Sequence, residues 1–281
     1  MGLSHVLTAA FLTAGSLLLA LPAQAQSAGD PPPGAGEVRL RAGMPPGDWR
    51  VSVGAAGIVR PDYLGSNRYR VTALPSLDIR YRDLAFVTSF GGLPGAGVNV
   101  IRSGGLLAGP IIRLRFSRDE GANPALRGLG DVGVAAEIGG FIEYRATNFR
   151  VAAEVRRGVG GHEGVVASIR ADAVLRPLEG LTVSFGPRLN LGDAEFTRTY
   201  FGITAQQSAR SGYARFKPSG GVTSVGAGVF ANYALTRNIA VQALVEYQRL
   251  QADAANSPIV SQRGDPNQVA AVLSATYAFN W

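Results

Sequence analysis

The 281-residue sequence contains no cysteine and only one lysine, Lys217. The missing thiols exclude a disulfide scaffold, thiolate metal sites and thiol catalysis. Charged residues make up only 17% of the chain, yet the formal net charge is +7 and comes from arginines spread along the sequence. Because nucleic-acid-binding surfaces cluster their basic residues, this dispersed pattern argues against a nucleic-acid partner.

Glycine is abundant, with 37 residues, and it shows no collagen-like period. Each glycine inside a helix costs about 1 kcal/mol relative to alanine, so this content disfavours long helices. Strands of closed barrels use glycine at bends and at close backbone approaches. Together with 46% hydrophobic residues, which is too many for a disordered chain, the composition favours an all-β protein.

The first 25 residues have the features of an export signal. The segment 3–23 is apolar, and Ala23-Gln24-Ala25 supplies the small residues of a signal-peptidase site. Since no lysine or arginine precedes the apolar segment, an uncleaved anchor is the alternative. We expect a signal peptide over 1–25, export to the bacterial outer membrane, and a Pro/Gly-rich periplasmic arm over 26–48.

From Trp49 onward, apolar and polar residues alternate. In one segment the apolar set is Tyr69, Val71, Ala73, Pro75, Leu77, Ile79 and Tyr81, with mostly polar residues between them. Since successive side chains of a strand point to opposite faces, each such segment has one apolar and one polar face. A soluble sandwich gives the same alternation.

Two features favour a transmembrane barrel over a soluble sandwich. Several predicted strands run for 11 to 15 residues, whereas soluble strands have about 5–6 residues and membrane strands need about 9–11. Aromatic residues also gather at strand ends, as in the interfacial girdles of outer-membrane barrels. These residues are Trp49, Tyr69, Tyr81, Tyr144, Phe149, Tyr233, Tyr247 and Tyr277.

The spacing of the strands predicts an antiparallel up-and-down barrel over 49–281, with both termini periplasmic. The predicted strands are 49–59, 69–82, 84–92, 96–102, 105–117, 131–145, 148–157, 164–176, 181–191, 219–234, 238–250 and 267–281. Tight connections alternate with mostly long ones, as in bacterial barrels with short periplasmic turns and longer outer loops. Twelve strands fit best, and ten are the alternative because 96–102 is short and 192–218 is a long loop.

The last predicted strand ends on alternating aromatics, Tyr277, Phe279 and Trp281. An apolar strand of this form resembles the signal that the barrel-assembly machinery recognises. We therefore expect this machinery and outer-membrane lipid as partners.

The polar faces of the strands are expected to line the lumen. The candidate lumen residues are Arg113, Arg115, Glu137, Glu143, Arg150, Glu154, Arg170, Asp172 and Arg188, and the same face includes Arg50, Arg70, Arg80, Arg156, Arg176, Asp78 and Glu246. Opposite charges on neighbouring strands are expected to pair and stabilise a narrow lumen. The alternative is a pore with a basic bias that passes small anionic solutes.

Signals of catalysis are weak. His162 is the single histidine after the predicted signal peptide, and with Glu163, in a predicted outer loop, it is the only candidate general base. Neither a G-x-S-x-G nor an H-E-x-x-H motif accompanies it. The sequence therefore predicts no enzyme, no metal site and no cofactor.

A series of motifs carries a family resemblance. Arg60-Pro61-Asp62-Tyr63-Leu64-Gly65-Ser66 resembles the first-loop signature of the MipA/OmpV family of outer-membrane proteins. Further matches follow in order along the chain: Arg118-Asp119-Glu120, Leu126-Arg127-Gly128-Leu129-Gly130, Gly161-His162, Thr199-Tyr200-Phe201-Gly202-Ile203-Thr204 and Asp253-Ala254-Ala255-Asn256-Ser257-Pro258-Ile259-Val260.

This resemblance implies a scaffold, because the family's namesake binds a membrane-bound lytic transglycosylase and a bifunctional murein synthase. Other members are porin-like or surface proteins, which keeps a channel for small solutes as the alternative. The tight turns of a barrel offer little docking area, so we expect the 26–48 arm to contact such a murein hydrolase or synthase.

The motifs also define a candidate mouth site in the outer loops. Its residues are Arg60, Pro61, Asp62, Tyr63, Gly65, Arg118, Asp119, Asp253, Ser257 and Pro258. Proline and glycine in the first motif are typical of a turn. Arg60, Asp62, Arg118 and Asp253 either pair across loops and constrict the mouth or stand separately in solvent.

Overall fold

The computed structural model of the chain describes residues 48–88 and 94–280. The predicted signal peptide, residues 26–47 of the predicted arm and Trp281 lie outside the described residues. In the described part, the alternating segments form antiparallel strands because their period of two gives each strand one apolar and one polar face.

Thirteen β-strands occur among the described residues. They are β1 (Trp49–Pro61), β2 (Tyr69–Tyr81), β3 (Ala85–Thr88), β4 (Gly95–Val98), β5 (Ile101–Ser103), β6 (Leu106–Arg115), β7 (Ala135–Arg145), β8 (Phe149–Gly160), β9 (Val165–Leu178), β10 (Leu181–Gly192), β11 (Gly221–Ala234), β12 (Ile239–Leu250) and β13 (Asn267–Asn280).

The strands close into a twelve-stranded barrel. β1 pairs with both β2 and β13, and β4 pairs with β6 to complete the ring. β4 and β5 are two parts of one interrupted strand, since both pair with β6. Gly97 lies opposite Ile111 and Ile101 opposite Ala108, so this strand has one extra residue at the break, which is a β-bulge. The twelve-stranded prediction is confirmed, and 96–102 is interrupted rather than continuous.

The outer surface of the barrel is apolar. Outward-facing Val71, Ile138, Ile142 and Leu273 are each half or more exposed. An exposed apolar surface that encircles a closed barrel is the arrangement that spans a lipid bilayer, since closure leaves no unpaired strand edge.

The two ends of the barrel differ. At one end, the tight-turn end, the connections are short and lie at 82–84, 104–105, 146–148, 179–180 and 235–238. At the other, the loop end, they are long and lie at 62–68, 116–134, 161–164, 193–220 and 251–266. Exposed aromatic rings form a girdle at the tight-turn end: Trp49, Tyr144, Phe149, Tyr233, Tyr277 and Phe279.

The long loops contain short helices that the sequence did not predict. They are α1 (Ala194–Phe201), α2 (Ala205–Ser211), α3 (Ala252–Asn256) and α4 (Pro258–Ser261). The stretch 192–218 was predicted as a loop, but α1 and α2 occupy most of it. Among the described residues, no helix is long and apolar enough to cross a bilayer.

These loops fold back over the barrel end as a cap with two apolar clusters. One cluster centres on Phe196, Phe201 and Val260, and the other on Leu126, Ile203 and Ile259. Because residues of several loops are buried together, the cap is one packed layer rather than a set of separate solvated loops.

Inward positions on every wall include polar side chains, such as Ser52, Asn232, Gln242 and Thr276 on β1 and β11–β13. An apolar cluster fills the side formed by β1 and β11–β13: Ala56, Ile58, Phe230, Leu244, Ala270 and Val272. The expectation of a polar lumen therefore holds for the wall of β6–β10, which bears most of the ion pairs, and is wrong at these six positions, where the inward side chains are apolar.

Candidate functional site

The carboxylate of Glu137 is the centre of the ionic network inside the barrel. It lies 2.6 Å from Nε of Arg115, 3.1 Å from Nε of Arg156 and 3.0 Å from Nε2 of His162. Glu137 is fully buried. A buried carboxylate is tolerated only when its charge is paired and its lone pairs are hydrogen-bonded, and these three contacts meet that condition.

A second carboxylate, Glu154, lies one strand further along the wall. Arg113 donates to it at 2.8 Å, Arg156 bridges it to Glu137, and Arg170 lies 3.9 Å away. The two carboxylates thus share a guanidinium. This sharing makes the pairs a connected network rather than separate salt bridges.

Arg170 extends the network toward the tight-turn end. It donates to Glu143 at 2.7 Å, and Glu143 also pairs with Arg145. On β9, Asp172 accepts from Arg150 at 2.5 Å, and its other carboxylate oxygen forms an ion pair with Nη1 of Arg188 at 2.6 Å. Arg188 also lies 4.0 Å from Glu246. All nine predicted lumen residues therefore lie inside the barrel and take part in ion pairs.

The inner wall carries an excess of positive charge. Seven arginines meet five carboxylates: Arg113, Arg115, Arg145, Arg150, Arg156, Arg170 and Arg188 against Glu137, Glu143, Glu154, Asp172 and Glu246. Except for Arg145, none of these side chains is more than 6% exposed. The alternation predicts that Arg176 lies in the lumen, and this prediction is wrong. Arg176 is exposed at the tight-turn end and donates to the Thr147 carbonyl.

Uncharged side chains continue the inner wall beyond the arginines. Asn190 donates to Ser224 at 2.9 Å and to Gln248 at 2.7 Å, across β10, β11 and β12. With the apolar cluster on the remaining wall, side chains fill the lumen. The two cavities that adjoin the network have volumes of about 80 Å³ and 30 Å³.

His162 is buried rather than accessible. It is 2% exposed, and its ring packs edge-on against Phe196 and Tyr200 of α1. Its partner is Glu137 and not Glu163, which is exposed. The expected pair of His162 and Glu163 at the surface is therefore wrong, and His162 joins the lumen network to the cap.

Residues of the first-loop motif connect the loop between β1 and β2 to neighbouring strands and loops. Asp62 accepts from Arg70 at 3.3 Å and from Asn123 at 2.9 Å. Tyr63 is buried, and burial raises the pKa of its hydroxyl to about 12. Gly65 has a φ of +95° and packs so closely on Val260 that a Cβ would collide with it, so glycine is required there.

The other mouth residues contact different loops. Arg118 is buried and donates to the Tyr200 carbonyl at 3.1 Å, and burial lowers the pKa of its guanidinium. Asp253 accepts from the backbone N and the hydroxyl of Ser219, both at 2.7 Å. Ser257 donates to the Phe201 carbonyl at 2.7 Å.

The structure brings these residues into one cap but does not pair them with one another. Pro61 ends β1, Pro258 begins α4 and is buried, and Asp119 is exposed. The guanidinium of Arg60 lies over the Phe116 ring at 5.4 Å. Neither expected arrangement of the loop charges is found: Arg60 and Asp62 contact the 116–134 loop, whereas Arg118 and Asp253 contact the 193–220 loop.

The sequence analysis did not identify the aromatic residues that contact the ionic network. Phe196 and Tyr200 lie on α1 and contact Arg115 as well as His162. Phe196 and Tyr200 are four residues apart in the helix that Asp193 caps. This spacing after a capping residue is the signal that predicts one buried helix face. Burial raises the pKa of the Tyr200 hydroxyl to about 12.

The residues of the predicted insertion signal lie on the outer surface. Tyr277 and Phe279 are each 44% exposed, and their ring centroids are 4.7 Å apart. Both lie on β13 opposite Val53 and Val51 of β1, at the closing seam. Trp281 lies outside the described residues. Within 48–88 and 94–280, no group of three or more His, Asp or Glu side chains could hold a metal ion.

Several solved outer-membrane barrels are similar in architecture. NanC porin has 9% sequence identity and a TM-score of 0.49, with 80% of this chain and 98% of that chain covered. An outer membrane channel of Pseudomonas putida F1 has 11% identity, coverage of 84% and 97%, and a TM-score of 0.43. The DcaP channel of Acinetobacter baumannii has 8% identity, coverage of 82% and 96%, and a TM-score of 0.37.

No curated protein sequence matches the chain. The family model described as MltA-interacting protein MipA matches residues 53–279. The match runs from β1 to β13 and includes the first-loop motif, the ionic network and the cap. The resemblance seen in the sequence is therefore confirmed, and this outer-membrane β-barrel belongs to the MipA family.

Proposed function

We propose that this protein is a non-enzymatic outer-membrane scaffold for murein-remodelling enzymes. The observation that carries the proposal is the filled lumen, in which buried ion pairs, an apolar cluster and a loop cap occupy the barrel interior. A barrel filled in this way presents its ends and rims to partners. The family description, MltA-interacting protein, supports a lytic transglycosylase as one partner. The bifunctional murein synthase is a second partner that the sequence resemblance implies.

The tight-turn end is the side we assign to the periplasm. Short turns at that end and long loops at the other follow the usual orientation of bacterial barrels. β1 begins and β13 ends there, since Val51 lies opposite Phe279 in the register. The 26–48 arm therefore leaves the barrel on the side where murein enzymes work.

Retention of purified murein enzymes on the immobilised barrel tests this proposal. We expect the mature chain to retain a lytic transglycosylase and a murein synthase, and a variant without 27–47 to retain at least tenfold less. The matched control is Arg127→Gln, an exposed position in the cap at the opposite end. If the mature chain retains neither enzyme, the scaffold is wrong. If the variant without 27–47 retains the enzymes as well as the mature chain does, the arm is not the binding segment.

A second candidate function is a gated channel for small anions. The excess of arginines over carboxylates on the inner wall favours it, because that wall attracts anions once solvent enters. We expect no steady conductance from the intact barrel in planar bilayers. Replacing 194–218 with a short Gly/Ser linker should produce anion-selective steps, and a silent replacement variant would contradict the channel.

A further inference from the structure

A cavity of about 80 Å³ lies between the lumen network and the loop cap. We call it the cap cavity. Its lining includes four arginines, Arg60, Arg70, Arg115 and Arg118, which come from β1, β2, β6 and the loop after β6. Four guanidinium groups around one small space produce a positive potential unless carboxylates neutralise them.

Within 48–88 and 94–280, two of these four arginines have a carboxylate partner. Arg70 pairs with Asp62 and Arg115 with Glu137. Among the described residues, neither Arg60 nor Arg118 has a carboxylate within 4.0 Å: Arg60 lies over the Phe116 ring, and Arg118 donates to backbone carbonyls. Burying a charge without a counter-ion is costly, so an anion in the cavity would be stabilised.

In the described part of the chain, the lining also includes two buried donors without a hydrogen-bond partner. Nε of Arg118 and the hydroxyl of Tyr200 make no hydrogen bond within 48–88 and 94–280. Arg118 is 9% exposed and Tyr200 is 5% exposed. Buried donors are almost always paired, and an unpaired donor costs about 1–3 kcal/mol. Both groups can donate to an oxygen of the same bound anion.

The other lining residues and the volume of the cavity limit the size and chemistry of the ligands that fit. Leu64, Phe116 and Ala270 supply apolar contacts. The carboxylate of Glu246 also lines the cavity; its Oε1 accepts from Gln248, and its Oε2 lies 4.0 Å from Arg188 without a hydrogen bond to any described residue. Since one water needs about 10–15 Å³ of such space, a volume of about 80 Å³ accommodates about five to eight non-hydrogen atoms.

We propose that the cap cavity binds a small organic carboxylate, with its charged end at Arg118, Arg60 and Tyr200 and its apolar end against Phe116. Guanidinium groups bind carboxylates through paired, charge-assisted hydrogen bonds, and the apolar wall distinguishes an organic anion from an inorganic one. This inference goes beyond the scaffold and does not depend on it, because the isolated barrel would bind the ligand without any murein enzyme.

Butyrate, with six non-hydrogen atoms, is the probe. Its binding to the folded mature chain in non-ionic detergent can be measured by ligand-observed NMR titration. Butyramide is the uncharged control, and inorganic phosphate tests for a general anion site. We expect butyrate to bind and butyramide and phosphate to bind at least tenfold more weakly.

Four variants locate the binding in the cap cavity. We expect Arg118→Gln to weaken butyrate binding by about tenfold to a hundredfold, and Tyr200→Phe, which removes only an unpaired hydroxyl, by about twofold to tenfold. Arg60→Gln should also weaken it, whereas Arg127→Gln, exposed elsewhere on the cap, should not.

Because Arg118 also holds the cap, each variant is first checked for a folded barrel by its shift in electrophoretic mobility on heating. If Arg118→Gln does not fold, Tyr200→Phe and Arg60→Gln decide the question. Absence of butyrate binding to the intact barrel, equal binding of butyramide or phosphate, or unchanged binding in both Tyr200→Phe and Arg60→Gln would overturn the proposal.

Discussion

Arginine, and not lysine, carries the positive charge of the inner wall for a geometric reason. A guanidinium has five donors in a planar fork, so one side chain can join two carboxylates, as Arg156 joins Glu137 and Glu154. A lysine has a single ammonium on a flexible stem. A chain with one lysine and many arginines is therefore suited to a network that spans several strands.

Removing the central carboxylate of this network should destabilise the barrel strongly. Glu137→Gln leaves Arg115 and Arg156 buried without their shared counter-ion, and breaking a buried pair in this way costs about 3–5 kcal/mol. Urea unfolding of the barrel in lipid vesicles measures the change. Glu163→Gln, on an exposed neighbour of His162, should change the stability by less than about 0.5 kcal/mol. Equal stability of the two variants would show that the network does not hold the wall.

The sequence predicts which side of a strand a residue occupies better than it predicts the partner of that residue. Alternation places Arg113 and Glu154 on inner faces, because the period of two is a local property. Their pairing across β6 and β8 depends on the register of three strands and on rotamers, which no local pattern encodes. The alternation places Arg176 on the wrong face, because the alternation of buried and exposed residues is lost at the end of β9.

At the scale of elements, the strands were predictable and the loop helices were not. A strand of ten or more alternating residues repeats its signal several times. α1 has only eight residues, about two turns, so its apolar face is marked by little more than Phe196 and Tyr200. Short helices of this kind obtain most of their stability from tertiary packing, which the sequence around them does not show.

Asp193 connects one of these helices to the barrel wall. Its carboxylate accepts from the backbone N of Phe196 at 2.7 Å, which caps α1, and from the backbone N of Val165 at 2.9 Å, at the start of β9. The side chain thus satisfies two donors that would otherwise lack a partner. The position of α1 over His162 depends on this residue.

We expect Asp193→Ala to loosen the cap without opening the barrel. Loss of an N-cap costs about 1 kcal/mol, and the second lost hydrogen bond adds a similar amount. Hydrogen exchange in 194–218 should become faster while exchange in the strands stays unchanged. Glu195→Ala, two residues along on the exposed side of α1, is the control. Unchanged exchange in Asp193→Ala would mean that apolar packing alone holds the cap.

For the whole molecule, the interior combines an ionic network on β6–β10 with an apolar cluster on β1 and β11–β13. The sequence indicated the first, because charged residues on alternating positions stand out. It did not indicate the second, because Ile58, Phe230 and Leu244 are apolar and face inward, where the alternation predicts polar residues.

The barrel closes at a seam between β1 and β13, which pair along ten residues of each strand. Tyr277 and Phe279 face outward on β13 at this seam, and the sequence predicts that they are part of the insertion signal. We expect the double variant Tyr277→Ser, Phe279→Ser to lower severalfold the amount of heat-modifiable barrel in outer-membrane fractions. Tyr233→Ser is the matched control, because Tyr233 is an equally exposed girdle ring on β11, away from the seam. If the control lowers assembly as much as the double variant, the aromatic girdle and not the final strand is what insertion requires. If neither changes assembly, the predicted signal is wrong.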